Sequence, residues 1–214
     1  VIDLHERFGH EVIDRFVSIY EAGATPNPCV ICNRHIKFGA LLDCARELGC
    51  DFVATGHYAH VTRAEDGVFE LHRGLDPKKD QSYVLYSLPQ DRLAHVLFPL
   101  AGLDKERDVR RIAKEQGFGV ASKAESEDIC FIPDGDYASY IERRTGRPLE
   151  PGNILWRDGS VVGTHAGALR YTIGQRKGLG LGGGPWFVVK KDVGRNVLYV
   201  SHGYDPQTAY KQTF

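Results

Sequence analysis

The chain has 214 residues, and its 27 lysines and arginines nearly balance 28 aspartates and glutamates, for a formal charge of −1. With 42% hydrophobic and 26% charged residues it has ordinary globular composition. That excludes a disordered acidic or basic tail protein and nucleic-acid binding through bulk charge, but it leaves a local basic face open. No apolar run approaches the roughly 18 residues of a membrane span, so no membrane partner is expected and the cytoplasm is the expected location. Five cysteines are an odd and sparse set, which argues against a secreted disulfide scaffold and for thiols that pack, react or bind metal.

Leu4, Phe8, Val12, Ile13, Phe16, Val17 and Tyr20 recur at helical spacing and stop at Gly23, predicting a helix over 4–22. The next segment, through Cys32, holds two prolines and predicts an open loop. Asn33 is then the expected cap of a second helix that buries Ile36, Leu41, Leu42, Ala45 and Leu48 before Gly49. Phe52-Val-Ala54 followed by Thr55-Gly56-His57 reads as a buried strand ending at a tight turn, where α/β proteins place their sites. A strand over 68–73 and helices over 81–88, 104–116 and 136–145 follow. This alternation predicts an α/β fold with a parallel sheet covered by helices. From Pro148 the pattern changes to short strands at 154–156, 161–162, 187–189 and 197–200, with turns at Asp158-Gly159 and around Gly194-Arg195-Asn196. A small, mainly β module is expected there.

Several patterns carry chemistry. Cys29 and Cys32 form Cys-x-x-Cys, a spacing that lowers a thiol pKa, forms a disulfide or supplies two metal ligands. With a helix expected from Asn33, Cys32 is the thiol expected nearer the positive end of the helix dipole. Cys130, between Ile129 and Phe131, reads on its own as a buried core thiol. Cys44 and Cys50 read as packing or surface thiols. Gly56 permits close approach of a ligand to the backbone. His57 suits a general acid/base, a base-stacking partner or a satisfied structural histidine, and the last is the default. Lys79-Asp-Gln81 reads as a solvated cap with Asp80 as N-cap. The stretch Gly174-Gln-Arg-Lys-Gly-Leu-Gly180 joins exposed backbone amides to Arg176 and Lys177. It suits phosphate groups of a nucleotide or an RNA backbone, or serves as a structural turn, and it is neither a P-loop nor a dinucleotide fingerprint.

Thr25-Pro-Asn-Pro-Cys-Val-Ile-Cys-Asn33 with Ile36-Lys-Phe38, Ala54-Thr-Gly-His-Tyr58, Lys79-Asp-Gln-Ser-Tyr83, Ser126-Glu-Asp-Ile-Cys-Phe-Ile132 and Tyr171-Thr-Ile-Gly-Gln-Arg-Lys-Gly-Leu-Gly180 occur in this order. Over about residues 3–205 the chain resembles the bacterial tRNA-specific 2-thiouridylases, which replace the C2 oxygen of the wobble uridine by sulfur. An older label for that family, tRNA methyltransferase, finds no S-adenosylmethionine-binding signature here. The resemblance implies an ATP-pyrophosphatase (HUP-like) domain over 1–135, a central domain over 136–205, and the start of a C-terminal β-barrel over 206–214. Its phosphate loop would precede Val1 and the barrel would follow, so a fragment missing both ends, inactive alone, is expected.

Carried over by resemblance, Cys32 is the nucleophile and Cys130 carries sulfur as a persulfide. Gly56 contacts ATP, with Mg2+. Asn27, Pro28, Cys29, His57, Lys79, Asp80 and Gln81 contact the tRNA or its target base. Many relatives have Asp where this chain has Cys29, which weakens an acid/base role for that position. The expected partners are tRNA and a sulfur-donor protein, a cysteine desulfurase or a relay. The residue types suit the reaction: the amide-like C2 oxygen leaves poorly until adenylated, and a soft sulfur nucleophile must then attack. Cys32 then displaces the remaining sulfur, leaving a Cys32–Cys130 disulfide for a reductant to open. A second mechanism for the same function places a [4Fe–4S] cluster on Cys29, Cys32 and Cys130. Two rival functions are a thiol–disulfide oxidoreductase using Cys29 and Cys32 and a non-catalytic RNA-binding module.

Overall fold

The computed structural model, which describes residues 1–119 and 129–203, divides into two units: Val1–Arg15 with Asn27–Glu127, and Phe16–Pro26 with Asp128–Phe214. The helix expected over 4–22 is present as consecutive stretches. α1 (residues 5–14) is α-helical over His5–Phe8 and π-helical over Gly9–Asp14. α2 (Arg15–Glu21) follows, and its buried Phe16, Val17 and Tyr20 belong to the second unit.

In the first unit, α3 (residues 28–47) is assembled from Pro28–Cys32, a π-helical Asn33–Ala40 and Leu41–Glu47. The Asn27 side-chain oxygen accepts from the N–H groups of Cys29 at 3.1 Å and Val30 at 3.4 Å. Pro28 takes the first helical position, where a missing N–H costs nothing and the fixed φ suits the helix. The expected loop through Cys32 and cap at Asn33 are therefore corrected: the cap is Asn27, and Asn33 lies inside the helix. At the other end Gly49 N–H donates to Arg46 O at 3.0 Å and Cys50 N–H to Ala45 O at 2.9 Å, the paired bonds of a Schellman stop.

β1 (Val53–Ala54) pairs in parallel with β4 (Val96–Leu97), and β2 (Ala59–Arg63) forms an antiparallel hairpin with β3 (Phe69–Arg73). α4 (Gln90–Leu93) precedes β4, and α5 (residues 105–115) starts from Asp104, which accepts from Arg107 N–H. The helix expected over 81–88 is a single 3-10 turn, Ser82–Val84. The core joins Phe38, Leu42 and Ala45 of α3 to Val53, Ala59, Leu85, Leu93, Val96 and Phe98.

In the second unit, α6 (Tyr137–Thr145) starts at Asp136, which accepts from Ser139 N–H, and ends at a left-handed Gly146. β5 (Gly152–Leu155), β6 (Val161–His165), β7 (Trp186–Asp192) and β8 (Val197–His202) form one sheet in the order β6-β5-β8-β7. β5 and β8 are parallel and the outer pairs antiparallel. Ile154, Val188, Leu198 and Val200 centre one core, and Phe16, Tyr20, Ile132 and Ile141 a second. The expected class is the observed one: a parallel pair with helices, then a small β module. Among the described residues no helix is long and apolar enough to cross a membrane.

Candidate functional site

The start of α3 carries the Cys-x-x-Cys pair. Cys29 is exposed and Cys32 half-buried. A spacing of three places both on one face of the helix. Because the helix begins at Pro28, Cys29 stands at its second position and Cys32 in the next turn. The expectation that Cys32 is the thiol closer to the dipole end is corrected: Cys29 is. All five cysteines are reduced thiols; Cys44 is half-buried and Cys50 exposed.

One residue beyond Cys32, Asn33 is buried at 1% exposure. Its amide nitrogen donates to Val84 O at 3.1 Å, while its side-chain oxygen is buried without a hydrogen bond among the described residues. This bond ties the thiol-bearing helix to the turn that follows Lys79-Asp80-Gln81. The Gln81 side chain accepts from Tyr58 N–H at 3.1 Å and its backbone N–H donates to Tyr58 O at 2.9 Å. Gly74 closes the same junction: a Cβ there would lie 2.9 Å from the Tyr58 carbonyl carbon and oxygen, so only glycine fits without displacement.

Asp80 accepts from Gly74 N–H and Ser82 N–H, each at 3.2 Å, and from the Ser82 hydroxyl at 2.9 Å. Burial works to raise its pKa. The Ser82 and Gly74 bonds and the Arg73 charge outweigh that and hold the carboxyl below its ordinary value. These bonds also explain the shortened helix. Asp80 and Gln81 are committed across the junction, so the segment tightens into a 3-10 turn instead of propagating. Asp80 braces the turn and does not cap a helix over 81–88. Lys79 N–H donates to Asp76 O in the preceding turn.

At the C-terminal end of β1, Thr55 N–H donates to Leu97 O at 3.0 Å and extends the parallel pair. Gly56 follows. A Cβ there would meet Leu100 at an ordinary 3.6 Å, so packing alone does not require glycine. His57 is buried, its ring 5.9 Å from Phe38 and 5.8 Å from Phe98, and Nδ1 shares a 2.7 Å hydrogen bond with Thr55 Oγ1. Burial, reinforced by the Lys37 charge, lowers its pKa to about 4. The imidazole is neutral at pH 7, able to share hydrogen bonds but not to attract phosphate as a cation.

Cys130 belongs to the second unit. Ile132 N–H donates to Ile129 O at 2.8 Å, closing a turn with Cys130 at its second position. Phe131 packs edge-on against Phe16 at 5.3 Å and Ile132 is buried, while Cys130 is exposed. The buried-thiol expectation is corrected: the neighbours anchor the turn and the thiol faces out. Ser126, Glu127 and Asp128 of the same motif lie outside the described residues. Among the described residues no group of three or more His, Cys, Asp or Glu side chains is placed to hold a metal ion.

Within the first unit the structure joins Gln81, Tyr58 and the α3 start through Asn33 and Val84. Sequence reasoning missed Asn33, Thr55, Tyr58 and Gly74 as parts of this assembly. Only Asn27-Pro28, an N-cap residue followed by a proline suited to the first helical position, carried a readable signal.

The family model described as tRNA methyl transferase HUP domain matches residues 1–134, and that described as tRNA methyl transferase PRC-barrel domain matches residues 139–202. Among curated proteins, the chain is 50% identical over 201 residues to the tRNA-specific 2-thiouridylase MnmA of Geotalea uraniireducens (strain Rf4), covering 94% of this chain and 53% of the relative. It is 53% identical over 193 residues to the protein of that name from Micrococcus luteus, covering 88% and 50%. With that of Moorella thermoacetica it shares 51% over 207 residues, covering 96% and 58%. The chain spans about half the length of the curated relatives it matches.

Proposed function

The chain belongs to the family of the tRNA methyl transferase HUP domain, and from that premise we propose that it is part of a tRNA 2-thiouridylase that exchanges the C2 oxygen of a wobble uridine for sulfur. The observation that carries this reading is the Asn27-capped start of α3, which presents two thiols on one face of a helix that Asn33 ties to the turn after Gln81. Thiols suit sulfur transfer, whereas methyl transfer needs no such pair, and the relatives' names agree with the former.

In this reading Cys130 receives terminal sulfur from a donor protein, a desulfurase or relay, and holds it as a persulfide. Its exposure suits protein-to-protein transfer. The persulfide sulfur attacks the adenylated C2, and the C2–O bond breaks as AMP leaves with the oxygen. Cys32 then attacks the sulfur of Cys130, which releases 2-thiouridine and leaves a Cys32–Cys130 disulfide for two electrons from a reductant to open. Gly56 fits a nucleotide contact, because it stands at the carboxyl end of a parallel strand. ATP, with Mg2+, is the substrate that activates the C2 oxygen. Asn27, Pro28, Cys29, His57, Lys79, Asp80 and Gln81 are the contacts to the tRNA or its target base, the base being splayed from its stack to reach the thiols. The setting is the cytoplasm.

The test is thiolated uridine measured by mass spectrometry, in cells supplied with the full-length protein carrying Cys32→Ser, Cys130→Ser or Cys29→Ser. The first two abolish the product and Cys29→Ser leaves it detectable. Full thiolation with Cys32→Ser or Cys130→Ser would overturn the proposal. A second reading, a [4Fe–4S] cluster on the three thiols, is favoured only by the exposed Cys29 sharing a face with Cys32. It requires that Cys29→Ser also abolish the product and that anaerobically purified protein contain iron and sulfide.

A further inference from the structure

The glycine-rich stretch of the second unit is left unused by the proposed chemistry, and it is a built surface. Gly174 N–H donates to Val188 O at 2.7 Å and Val188 N–H to Gln175 O at 3.0 Å, fastening the loop to β7. The Gln175 side chain accepts from Thr172 N–H at 3.0 Å and donates to Lys177 O at 2.9 Å. Leu179 is buried as an anchor, and Gly178, Gly180 and Gly183 hold φ between +66° and +81°, conformations that glycine adopts without strain. The far end is fixed by Trp186 Nε1 donating to Gly182 O at 2.8 Å and by a 2.6 Å bond from His202 Nε2 to Gly183 O.

On this fixed loop Arg176 and Lys177 are exposed. Arg170, a few residues earlier, is taken by Glu142 and Asp136, but Arg176 and Lys177 have no ion pair among the described residues. Beside them lies an aromatic cluster: Trp186 meets Trp156 edge-on at 4.9 Å and His202 at 5.0 Å. Arg176 and Trp186 line one cavity of about 270 Å³ together with Gly178, Gly180 and Gly184. The cavity is only half enclosed, which suits a chain running past it better than a buried nucleotide.

We propose that residues 172–186 form an RNA-backbone contact in which Arg176 and Lys177 each neutralise a phosphate and Trp186 lies against the sugar–base face of the same strand. Paired cations interleaved with aromatic rings are the chemistry by which proteins hold RNA without reading its sequence. The contact rests on the tRNA reading above and extends it to a unit that carries neither Cys29 nor Cys32. It positions the RNA and takes no part in sulfur transfer.

The chain contains two tryptophans, Trp156 and Trp186, so its tryptophan fluorescence, excited at wavelengths that tyrosine does not absorb, reports on this patch. The 214-residue chain is titrated with a tRNA transcript and with an unrelated hairpin RNA at 50, 100 and 200 mM salt, following tryptophan fluorescence and RNA anisotropy together. The expected result is fluorescence quenching in step with binding. In Arg176→Ala/Lys177→Ala the slope of log K against log salt shrinks by about 1.4–1.8 for both RNAs. Arg176→Lys/Lys177→Arg keeps the slope and, with a circular-dichroism melt, guards against misfolding. An unchanged slope and quench in the alanine variant overturn this inference and leave the tRNA reading standing. Absence of any RNA binding by the unsubstituted chain overturns this inference, while the tRNA reading is decided by the thiolation assay on the full-length protein. Quenching by ATP or inorganic phosphate alone, at the concentrations where RNA acts, replaces the RNA backbone by a free phosphate ligand and overturns the inference as stated.

Discussion

His57 gives the sharpest test of the first unit's electrostatics. Its pKa lies at about 4 in the folded chain against an ordinary 6.5, because burial among Phe38 and Phe98 strips the imidazolium of water and Lys37 repels it. Between those values the unfolded chain takes up a proton that the folded chain refuses. Stability therefore falls as pH drops through 6.5 toward 4, and His57's contribution is fully present only above 6.5. At about 1.4 kcal/mol per pH unit the ceiling is roughly 3 kcal/mol, and partial screening brings the expected loss to about 2 kcal/mol. The measurement is urea unfolding between pH 7.5 and 4.5 for the unsubstituted chain and for His57→Gln, which keeps a hydrogen-bonding side chain but cannot titrate. The acid-side loss should be smaller in the variant by that amount. The His57 ring proton followed by NMR should show no titration above pH 5. A midpoint near 6.5, or the same acid-side slope in both proteins, refutes the reasoning. Because the ring is neutral at pH 7, His57→Gln should also leave the salt dependence of RNA binding unchanged.

Asn27→Ala removes the acceptor for Cys29 and Val30 N–H and should lower first-unit stability by about 1 kcal/mol, with Asn27→Ser restoring most of it, read by urea midpoint. Gly74→Ala forces a Cβ against the Tyr58 backbone and should cost about 1–3 kcal/mol, read the same way; a neutral result would mean that the junction yields. Lys191 is buried with Nζ lacking a hydrogen bond among the described residues, 5.7 Å from the Tyr20 ring, and burial lowers its pKa. Lys191→Met should therefore stabilise the second unit at pH 7 by about 1 kcal/mol. The gain should shrink as the pH is raised toward the ordinary lysine range, because burial makes the lysine of the parent chain lose its charge earlier than an exposed one, and thermal melts at pH 7 and at alkaline pH check it.

What could be read from the sequence follows from how local each cause is. The helices beginning at Asp104 and Asp136 were legible because an aspartate cap acts within three residues. The strands of the second unit were legible because their turns carry glycine and asparagine at fixed places. β4 and α4 are two and four residues long, too short for any periodicity. The helix expected over 81–88 failed because its first residues are held from Tyr58 and Gly74, partners that no local pattern reveals. Prolines taken as breakers hid the cap at Asn27, although Pro28 stands at the one helical position that favours proline. The apolar neighbours of Cys130 do not bury it, because a turn sends Ile132 inward and the thiol out.

Where α3 begins bears on which sulfur does the difficult work. A helix N-terminus lends a charged group about 0.3–1 kcal/mol, and only within the first turn. Here Pro28 has no N–H, and the Asn27 side chain takes those of Cys29 and Val30, so much of that modest field is already answered. Cys32 stands a turn further on, and the buried His57 of the same unit carries no charge at pH 7. None of these features would make Cys32 a strongly activated nucleophile. A persulfide ionises more readily than a thiol. The proposed order, with attack on the base by a persulfide at the exposed Cys130 and Cys32 acting afterwards on a disulfide-level sulfur, therefore asks of Cys32 only ordinary thiol–disulfide exchange. It assigns the harder step to the sulfur that needs no help from the helix.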